Sequence, residues 1–562
     1  MRAYKARGRF LKRQMMRRIP QDISGTAFDV IVIGAGINGA CIARDAATRG
    51  LRVLLLDKGD LSCGTTSWST RLIHGGLRYL EHGELGLVRE SLRERETLLR
   101  IAPHLVRPLP LLLPIYEGAR RGPLTIRAGM LAYDLLSPGK TLPRHRMLSR
   151  AEALQHTPVL EAKGLRGAAL FHDAQVEYAE RLVFENALSA LRRGARILTY
   201  ARVERLLSER GRVAGVEFTD LLGGGGRHTA HAPLVVNVAG PWVDEVLAGA
   251  GDAGGVEKLI GGTKGSHIVV ASFPGAPETA LYIEAQADAR PFFIIPWDEK
   301  LLVGTTDEMF TGDLERVEAG TAEIEYLIGE TNRAIPSARL TRASVLYAYA
   351  GVRPLPFIRA REEGGITRRH FIRESRFGGL FSIVGGKLTT SRSLSEQAVE
   401  MLFERLERRV PACTTARELL PGAATAAGEG FHAYAESFPS WSGLPAKSSS
   451  RLLKIYGTRA EEVCRLAAEH AELREPISEE TGSIGAEVVF AFRHELAETL
   501  GDCLLRRTLV GLDSSAGTDA VESAARLSRK FLGWDKRRAA CEVEDYLRYV
   551  ERFHVKKTEA RL

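Results

Sequence analysis

The sequence predicts an α/β protein with a β-rich insertion and a helical C-terminal unit, and three observations support this class. Residues 28–57 are typical of a strand, a helix and a second strand; residues 258–350 alternate short β-rich runs; and residues 452–549 have a helical period. A strand–helix–strand unit belongs to a parallel sheet, whereas an insertion of short strands commonly forms a layer of its own. At 562 residues, the chain is long enough for two or three domains.

The first strand–helix–strand unit contains a complete G-x-G-x-x-G motif directly after the apolar strand Val30–Ile33. In such a motif Gly34 permits the tight turn, Gly36 lets the backbone approach a pyrophosphate, and Gly39 lets the helix pack closely on the strand. Asp57 ends the second strand, where a carboxylate can accept hydrogen bonds from a ribose. Because this residue is an acid and not an arginine, we expect FAD or NAD rather than NADP.

Composition places the chain among globular proteins, with 44% hydrophobic and 26% charged residues. The six cysteines are scattered and include no C-x-x-C pair, which argues against a metal centre or a disulfide framework and favours a reducing compartment. No uninterrupted apolar stretch approaches the ~18 residues of a membrane-spanning helix. We therefore expect no metal and no transmembrane segment.

The excess of positive charge is concentrated at the start of the chain. Residues 1–20 contain eight Lys/Arg and no acid, and they lack the apolar core of a secretory signal. Such an arm can lie on an anionic membrane surface, or it can remain a solvated tail. Nucleic-acid binding is not favoured, because no nucleic-acid motif accompanies the charge.

Apolar periodicity predicts further elements along the chain. Residues 84–101 and 177–193 are predicted helices, and Ile197–Leu207 is a predicted strand that a hairpin joins to Val213–Phe218. Three prolines, at positions 103, 108 and 110, are expected to break the chain before it enters another layer.

Two later strands also end in glycine. Leu234–Val238 leads into Ala239 and Gly240, and Leu380–Val384 leads into Gly385 and Gly386, followed by a predicted helix from Ser391 to Arg408. Because the carboxyl ends of parallel strands share one edge of a sheet, we expect these turns near the same dinucleotide.

Several motifs, in order, resemble FAD-dependent glycerol-3-phosphate dehydrogenase of the membrane-associated respiratory type, over residues 28–512. The motifs are STRLIHGGLRYLEH at 69–82, VNVAGPW at 236–242, KGSH at 264–267, IPW at 295–297, GTTD at 304–307, GVRPL at 351–355 and GGKLTT at 385–390.

The resemblance implies a glutathione-reductase-like flavoprotein: a Rossmann-like FAD-binding domain, an antiparallel-sheet substrate domain and an α-helical cap. The expected divisions are a basic arm at 1–26, the FAD-binding domain at 27–105, 166–245 and 351–410, the substrate domain at 106–165 and 246–350, a linker at 411–450 and the helical domain at 451–562.

The same resemblance implies the site residues. The FAD contacts fall on Gly34, Gly36, Asn38, Gly39, Asp57, Thr66, Ser67, Val203, Gly240, Gly386, Lys387, Leu388 and Thr389. The substrate side falls on Arg78, Tyr79, His267, Arg353 and Arg368, with His74 and Lys264 close by in their motifs.

The chemistry of these residue types agrees with a phosphorylated alcohol as substrate. Arginine binds phosphate in a bidentate way that lysine cannot, so Arg353 and Arg368 are predicted to bind the phosphate, with Arg78 or Tyr79 aiding the hydroxyls. Removal of the hydroxyl proton requires a base, for which His267 is the first candidate and His74 the second. Lys387 would place a positive charge beside the reduced flavin.

The expected reaction is oxidation of sn-glycerol 3-phosphate to dihydroxyacetone phosphate, with hydride transfer from C2 to flavin N5 and electrons passed to membrane quinone. Three alternatives remain open: an oxidase that uses O₂ and forms H₂O₂, an amino-acid oxidase on the same fold, and a redox-silent flavin-binding membrane scaffold. The expected location is the cytoplasm, peripherally on the inner face of the cell membrane, and a homodimer is compatible with the sequence.

Overall fold

The computed structural model describes residues 22–555 except 138, 223, 250–257, 358–368, 377 and 426–429. Two of the predicted features fall outside this range. Most of the basic arm precedes residue 22, and Arg368, one of the two predicted phosphate ligands, lies in the segment 358–368.

A six-stranded sheet contains the N-terminal glycine motif. Five of its strands are parallel and one edge strand is antiparallel. All four residues of the first strand are buried, as expected for a strand covered on both faces. In spatial order the strands are Phe371–Glu374, Leu380–Val384, Leu234–Asn237, Val30–Ile33, Val53–Leu56 and Arg196–Leu198.

Different layers cover the two faces of this sheet. On one face the helix Ile37–Thr48 packs between Ala179–Arg192 and Ser391–Arg405. On the other face lies a three-stranded antiparallel sheet, formed by Ala201–Glu209, Arg212–Asp220 and Arg227–His231. The arrangement is that of a dinucleotide-binding layer, with its strand ends free to meet a ligand.

A ten-stranded mixed sheet forms the second large layer. Its strands are Leu72–Ile73, Val106–Tyr116, Arg146–Ser149, Leu165–Val176, Thr263–Ala271, Ala280–Glu284, Pro291–Trp297, Lys300–Gly304, Glu308–Met309 and Val345–Arg353. The strands Leu165–Val176 and Val345–Arg353 extend beyond the predicted divisions at 165/166 and 350/351.

The remaining elements are helical, apart from a short hairpin of Pro476–Ser478 and Ser483–Ile484. Around the two large sheets lie Leu77–Glu81, Leu85–Ile101, Pro123–Leu135, Arg150–His156, Val243–Ala248 and Thr321–Ala334. The C-terminal unit contains Phe431–Ser442, Ala446–Tyr456, Ala460–Glu469, Gly485–His494, Leu500–Asp502, Val521–Leu532 and Lys536–Val550. Within the described residues, none of the helices combines the length and apolarity needed to cross a membrane.

Two predictions of local structure, one made from periodicity and one from the prolines, are wrong in detail. Ile197–Leu207 is not one strand, because Tyr200 has a φ of +53° and the chain leaves the parallel sheet there for the three-stranded one. Pro108 and Pro110 do not break the chain, since both lie within Val106–Tyr116. The two prolines are two residues apart, so the backbone N–H groups that they lack would both have pointed to the same side of the strand. The predicted linker at 411–450 includes the helix Phe431–Ser442.

The helical unit is attached to the parallel-sheet layer by buried charge. Asp60, in the loop after the second strand, is fully buried and accepts hydrogen bonds from Arg506 (2.6 Å) and Arg507 (2.7 and 2.8 Å). Arg181 and Glu495 form a second fully buried pair at 2.6 Å. Such pairs hold the two units in one relative position, because any movement that separated the charges would leave each of them buried without a partner.

Replacing Asp60 tests this attachment. Asp60→Asn removes the charge between two buried guanidinium groups and should lower the free energy of unfolding by about 3–5 kcal/mol, as measured by urea denaturation. Arg548→Gln is the matched control, because Arg548 pairs with Glu544 at the surface, where ion pairs contribute little. A midpoint for Asp60→Asn equal to that of the control would contradict the assignment.

Candidate active site

The glycine motif forms a turn that has no room for side chains at Gly34 and Gly39. Gly34 has a φ of +108°, and a Cβ on it would lie 2.7 Å from the carbonyl oxygen of Val238. A Cβ on Gly39 would lie 1.8 Å from the carbonyl oxygen of Gly34. The helix therefore begins at Ile37 directly against the strand ends, and its first N–H groups face the edge where a pyrophosphate would bind.

Asp57 is fixed beside this turn by two backbone donors. Its carboxylate accepts from the N–H of Ala35 (2.5 Å) and from that of Gly59 (2.8 Å). Burial raises the pKa of Asp57 above its ordinary value, although these two hydrogen bonds oppose the shift. Thr66 lies on the other side of the turn, where its hydroxyl accepts from the N–H of Ile37 (3.3 Å).

The second double-glycine turn meets the same helix. The Asn38 amide donates to the carbonyl of Gly385 (3.5 Å), and a Cβ on Gly386 would lie 3.0 Å from that amide. Both glycines have positive φ, +79° and +85°. Two turns far apart in sequence thus close around one helix N-terminus.

The residues after the double glycine contact the motif at 69–82. The ammonium of Lys387 lies 4.4 Å from the centroid of the Tyr79 ring, and the hydroxyl of Thr389 accepts from the backbone N–H of His74 (3.1 Å). Tyr79 is on the short helix Leu77–Glu81, which also carries Arg78. The structure therefore brings Lys387 and Thr389 of the predicted cofactor loop against Tyr79 and His74.

The other predicted cofactor residues lie around this cradle. The Ser67 hydroxyl is buried and donates to the carbonyl of Ser62 (2.6 Å), and Leu388 packs against the core beneath the parallel sheet. Val203 packs in the core between the parallel and three-stranded sheets. Gly240, with a φ of +61°, begins the turn after Leu234–Asn237.

His267 is the buried histidine of the second layer. Its Nε2 is 2.9 Å from the Thr70 hydroxyl, and its ring stacks on Tyr349 with centroids 4.9 Å apart. Nδ1 is buried and has no hydrogen-bond partner among the described residues. Burial lowers the pKa of His267 well below its ordinary value, and the positive charges of Arg353 and Arg71 lower it further, so the imidazole is neutral at neutral pH.

Arg353 ends the strand that pairs with the His267 strand. Its guanidinium donates to Asp307 (2.9 Å) and to the Thr305 hydroxyl (2.9 Å). It occupies the space that a side chain at Gly265 would fill, since a Cβ there would lie 2.1 Å from Nη2. Gly265 and His267 are two residues apart on one strand, so the guanidinium and the imidazole share a face of the sheet.

One segment connects the cradle to this face. The Thr65 hydroxyl donates to the carbonyl of Val352 (2.6 Å) and Tyr349 donates to the carbonyl of Ser69 (3.0 Å). Thr70 then contacts His267. Residues 65–70 consequently lie along the strand Val345–Arg353 and fix the distance between the glycine turns and the imidazole.

Lys264 is not brought to this face. Lys264 is next to Gly265 on the strand, so its side chain lies on the opposite face of the sheet. There it forms an ion pair at 2.7 Å with the buried Glu323 of the helix Thr321–Ala334. Its role in substrate binding is therefore not supported by its position, whereas Arg353 and His267 lie together as expected.

Sequence reasoning missed three residues that position the predicted ones. Thr70 contacts His267, Tyr349 stacks on it, and Asp307 pairs with Arg353. Thr70 lies in the motif at 69–82 and Asp307 in the motif at 304–307, so both could have been predicted as site residues. Tyr349 could not, because its position opposite His267 depends on the register of the two strands.

Together these features define an FAD-dependent oxidoreductase. The backbone donors at the helix start, the close packing that glycines at 34, 39 and 386 permit at the strand ends, and the lysine at the second turn suit an anionic dinucleotide. Within the described residues, no cluster of His, Cys, Asp or Glu could hold a metal ion.

Comparisons with known proteins also indicate an FAD-dependent oxidoreductase. Residues 29–392 match the family model "FAD dependent oxidoreductase", and residues 413–539 match the "C-terminal domain of alpha-glycerophosphate oxidase". The chain is 46% identical to the glycerol-3-phosphate dehydrogenase of a Synechocystis strain over 95% of this chain and 98% of that one. It is 35% identical to glycerol-3-phosphate dehydrogenase 2 of Mycobacterium tuberculosis, over 93% and 88%.

A solved structure shows the same architecture. The glycerol-3-phosphate dehydrogenase of Bacillus halodurans, complexed with FAD, superposes with a TM-score of 0.78 at 28% identity, and the match covers 96% of this chain and 98% of that one. The chain thus belongs to the family of FAD-dependent glycerol-3-phosphate dehydrogenases, and its cofactor is FAD.

Gly39 provides a direct test of the cradle. Gly39→Ala would force a methyl group against the Gly34 carbonyl, which is backbone and cannot yield, so we expect loss of bound flavin, measured as the ratio of visible to ultraviolet absorbance after gel filtration. Gly86→Ala is the matched control, because it is also helical and nothing lies within 4 Å of its Cβ position. Full retention of flavin by Gly39→Ala would show that FAD binds elsewhere.

Proposed function

We propose that this chain oxidises sn-glycerol 3-phosphate to dihydroxyacetone phosphate and passes the electrons to a membrane quinone. The observation that carries the proposal is the pairing, on one sheet face, of an arginine suited to phosphate with a neutral buried histidine. The names of the relatives support the same substrate.

Arg353 is proposed to bind the phosphate. Its side chain is 19% exposed, and Asp307 and Thr305 hold it from one side. It also donates to the carbonyl of Thr306 (3.2 Å), so phosphate binding would replace part of these hydrogen bonds with bonds from the same planar donors to two phosphate oxygens. Arg78, on the helix beside Lys387, is proposed to bind the same substrate near its hydroxyl groups.

His267 is proposed to remove the proton of the C2 hydroxyl. When Nε2 donates to Thr70, Nδ1 retains a lone pair that can accept this proton, and stacking on Tyr349 fixes the plane of the ring. FAD, when bound, supplies the hydride acceptor for C2. The phosphate of the substrate would offset the charge of Arg353, which would raise the pKa of His267 and strengthen the base.

Replacing Arg353 tests phosphate recognition. Arg353→Ala removes charge-assisted hydrogen bonds and should raise KM for glycerol 3-phosphate by about 10- to 100-fold and remove the preference over glycerol. The control is Lys264→Gln. Lys264 follows the residue that pairs with Arg353 on the neighbouring strand, but its side chain lies on the opposite face of the sheet, so KM should be unchanged. An unchanged KM for Arg353→Ala would refute the phosphate assignment.

Replacing His267 tests the base. His267→Gln should slow flavin reduction by about 100- to 10,000-fold with substrate affinity nearly intact, as measured by anaerobic stopped-flow absorbance. His74→Gln is the comparison, because His74 is the second candidate base and its backbone N–H donates to Thr389 at the second glycine turn. Slow reduction in His74→Gln together with fast reduction in His267→Gln would transfer the role to His74.

The proposed acceptor and the proposed substrate are tested together. Purified flavoprotein is mixed anaerobically with glycerol 3-phosphate, and the visible flavin band should bleach. Rapid return of the band on addition of a soluble quinone analogue, with slow return in air, is the expected result. Rapid return in air with peroxide formation would identify an oxidase instead, and no bleaching would contradict the substrate.

A further inference from the structure

The short helical turn Glu551–Phe553 reaches from the helical unit to the strand that carries Arg353. Phe553 is 3% exposed. The centroid of its ring lies 5.1 Å from that of Trp68, 6.5 Å from that of Tyr347 and 6.0 Å from that of Tyr549. Of these three aromatic residues, only Tyr549 belongs to the helical unit. Packing within that unit therefore does not explain where the Phe553 ring lies.

Further contacts hold the residues on either side of Phe553. The Arg552 guanidinium lies 4.1 Å from the centroid of the Tyr549 ring and donates to the carbonyl of Glu315 (3.5 Å). Val555 packs against the apolar core that includes the helix Thr321–Ala334. We call residues 551–555 the C-terminal strap. The strap follows residue 539, where the match to the C-terminal family model ends.

Trp68 is held between the strap and the backbone of a strand. A Cβ on Gly351 would lie 2.9 Å from both the Cβ and the carbonyl oxygen of Trp68, so Trp68 lies directly on the strand Val345–Arg353. Phe553 contacts the indole ring. Strand backbone cannot yield as a side chain can, so Phe553 is the contact that can change the position of the indole.

Two routes lead from Trp68 to the imidazole of His267. By ring contact, Trp68 lies 5.5 Å from Tyr349, and Tyr349 stacks on His267 at 4.9 Å. Along the chain, Trp68 is followed by Ser69, whose carbonyl accepts from the Tyr349 hydroxyl (3.0 Å), and by Thr70, whose hydroxyl is 2.9 Å from Nε2 of His267. Both neighbours that orient the imidazole are therefore joined to Trp68.

The Arg353 guanidinium is held by a separate set of contacts. Its partners are Asp307, Thr305 and the carbonyl of Thr306, and none of these residues belongs to the strap. A change at Phe553 should consequently disturb the imidazole more than the guanidinium.

We propose that Phe553 is a positioning residue for the proposed base: it presses Trp68 against Tyr349 and so holds the imidazole of His267 in the orientation that receives the substrate proton. The role of the imidazole rests on the proposed function. The contact itself rests on the burial of Phe553 and on the ring distances.

Replacing Phe553 separates positioning from binding. In the full-length flavoprotein, Phe553→Ala should lower the limiting rate of anaerobic flavin reduction by glycerol 3-phosphate about 10- to 100-fold, because a small displacement of a catalytic group has an effect of this size. The apparent Kd from the same stopped-flow series should stay nearly unchanged. Phe553→Leu keeps an apolar side chain of similar volume and should restore most of the rate.

Phe438→Ala is the matched control for lost packing. Phe438 is a fully buried phenylalanine of the helical unit, and the rings it contacts, Tyr434 and Trp441, lie on its own helix. Its replacement should lower stability but leave the limiting rate as in the parent. An unchanged limiting rate in Phe553→Ala, or a change in its apparent Kd alone, would overturn the proposal.

A double-mutant cycle tests whether Phe553 acts through Trp68. Trp68→Leu removes the ring that Phe553 contacts, so it should slow flavin reduction by itself. Adding Phe553→Ala to Trp68→Leu should then slow reduction little further. Rates that fall by the product of the two single effects would show that Phe553 acts by another route and would overturn the proposal.

Hydrogen exchange of the holoenzyme tests the contact without the reaction. Peptides that contain residues 65–70 should exchange faster in Phe553→Ala than in Phe438→Ala, and equal exchange would overturn the proposal. The proposed function fails in a different way. A parent protein that glycerol 3-phosphate does not reduce would contradict the reaction, whereas faster exchange in Phe553→Ala would still support the hold of Phe553 on Trp68.

Discussion

The contact between Gly39 and the carbonyl of Gly34 is the constraint on which the structure depends. No side chain fits there, so the first helix begins directly at the ends of the parallel strands and directs its N–H groups to their edge. The double glycine at 385–386 then closes on the same helix through Asn38. The dinucleotide cradle is therefore assembled from segments almost 350 residues apart in sequence.

The second layer takes its position from this cradle. Residues 65–70 leave the loop after Asp57 and hydrogen-bond along the strand that ends at Arg353, so the imidazole and the guanidinium stand at a set distance from the glycine turns. Asp60, in the same loop, is held by Arg506 and Arg507 of the helical unit. The helical unit thus fixes the position of the loop that follows Asp57.

Much of this arrangement follows from local pattern, and the rest does not. The glycine motif and the strands that flank it could be predicted, because turn chemistry is contained in short segments. His267 and Arg353 were expected on the substrate side from the family resemblance alone, and the predicted division at 350/351 separated their two strands, which pair in one sheet. The break at Tyr200 and the strand through Pro108 and Pro110 could not be predicted, since the first depends on one positive φ and the second on which strand edge is paired. The ion pair of Lys264 with Glu323 could not be predicted either, because only the alternation along its strand shows on which face its side chain lies.

The central claim is that a phosphorylated alcohol lies between Arg353 and a cofactor held at the glycine turns. A crystal structure of the flavoprotein with bound dihydroxyacetone phosphate tests it most directly. The account predicts the phosphate on the Arg353 guanidinium and the carbonyl oxygen within hydrogen-bond distance of His267. A phosphate bound to other cations, with no contact to the Arg353 guanidinium, would contradict it.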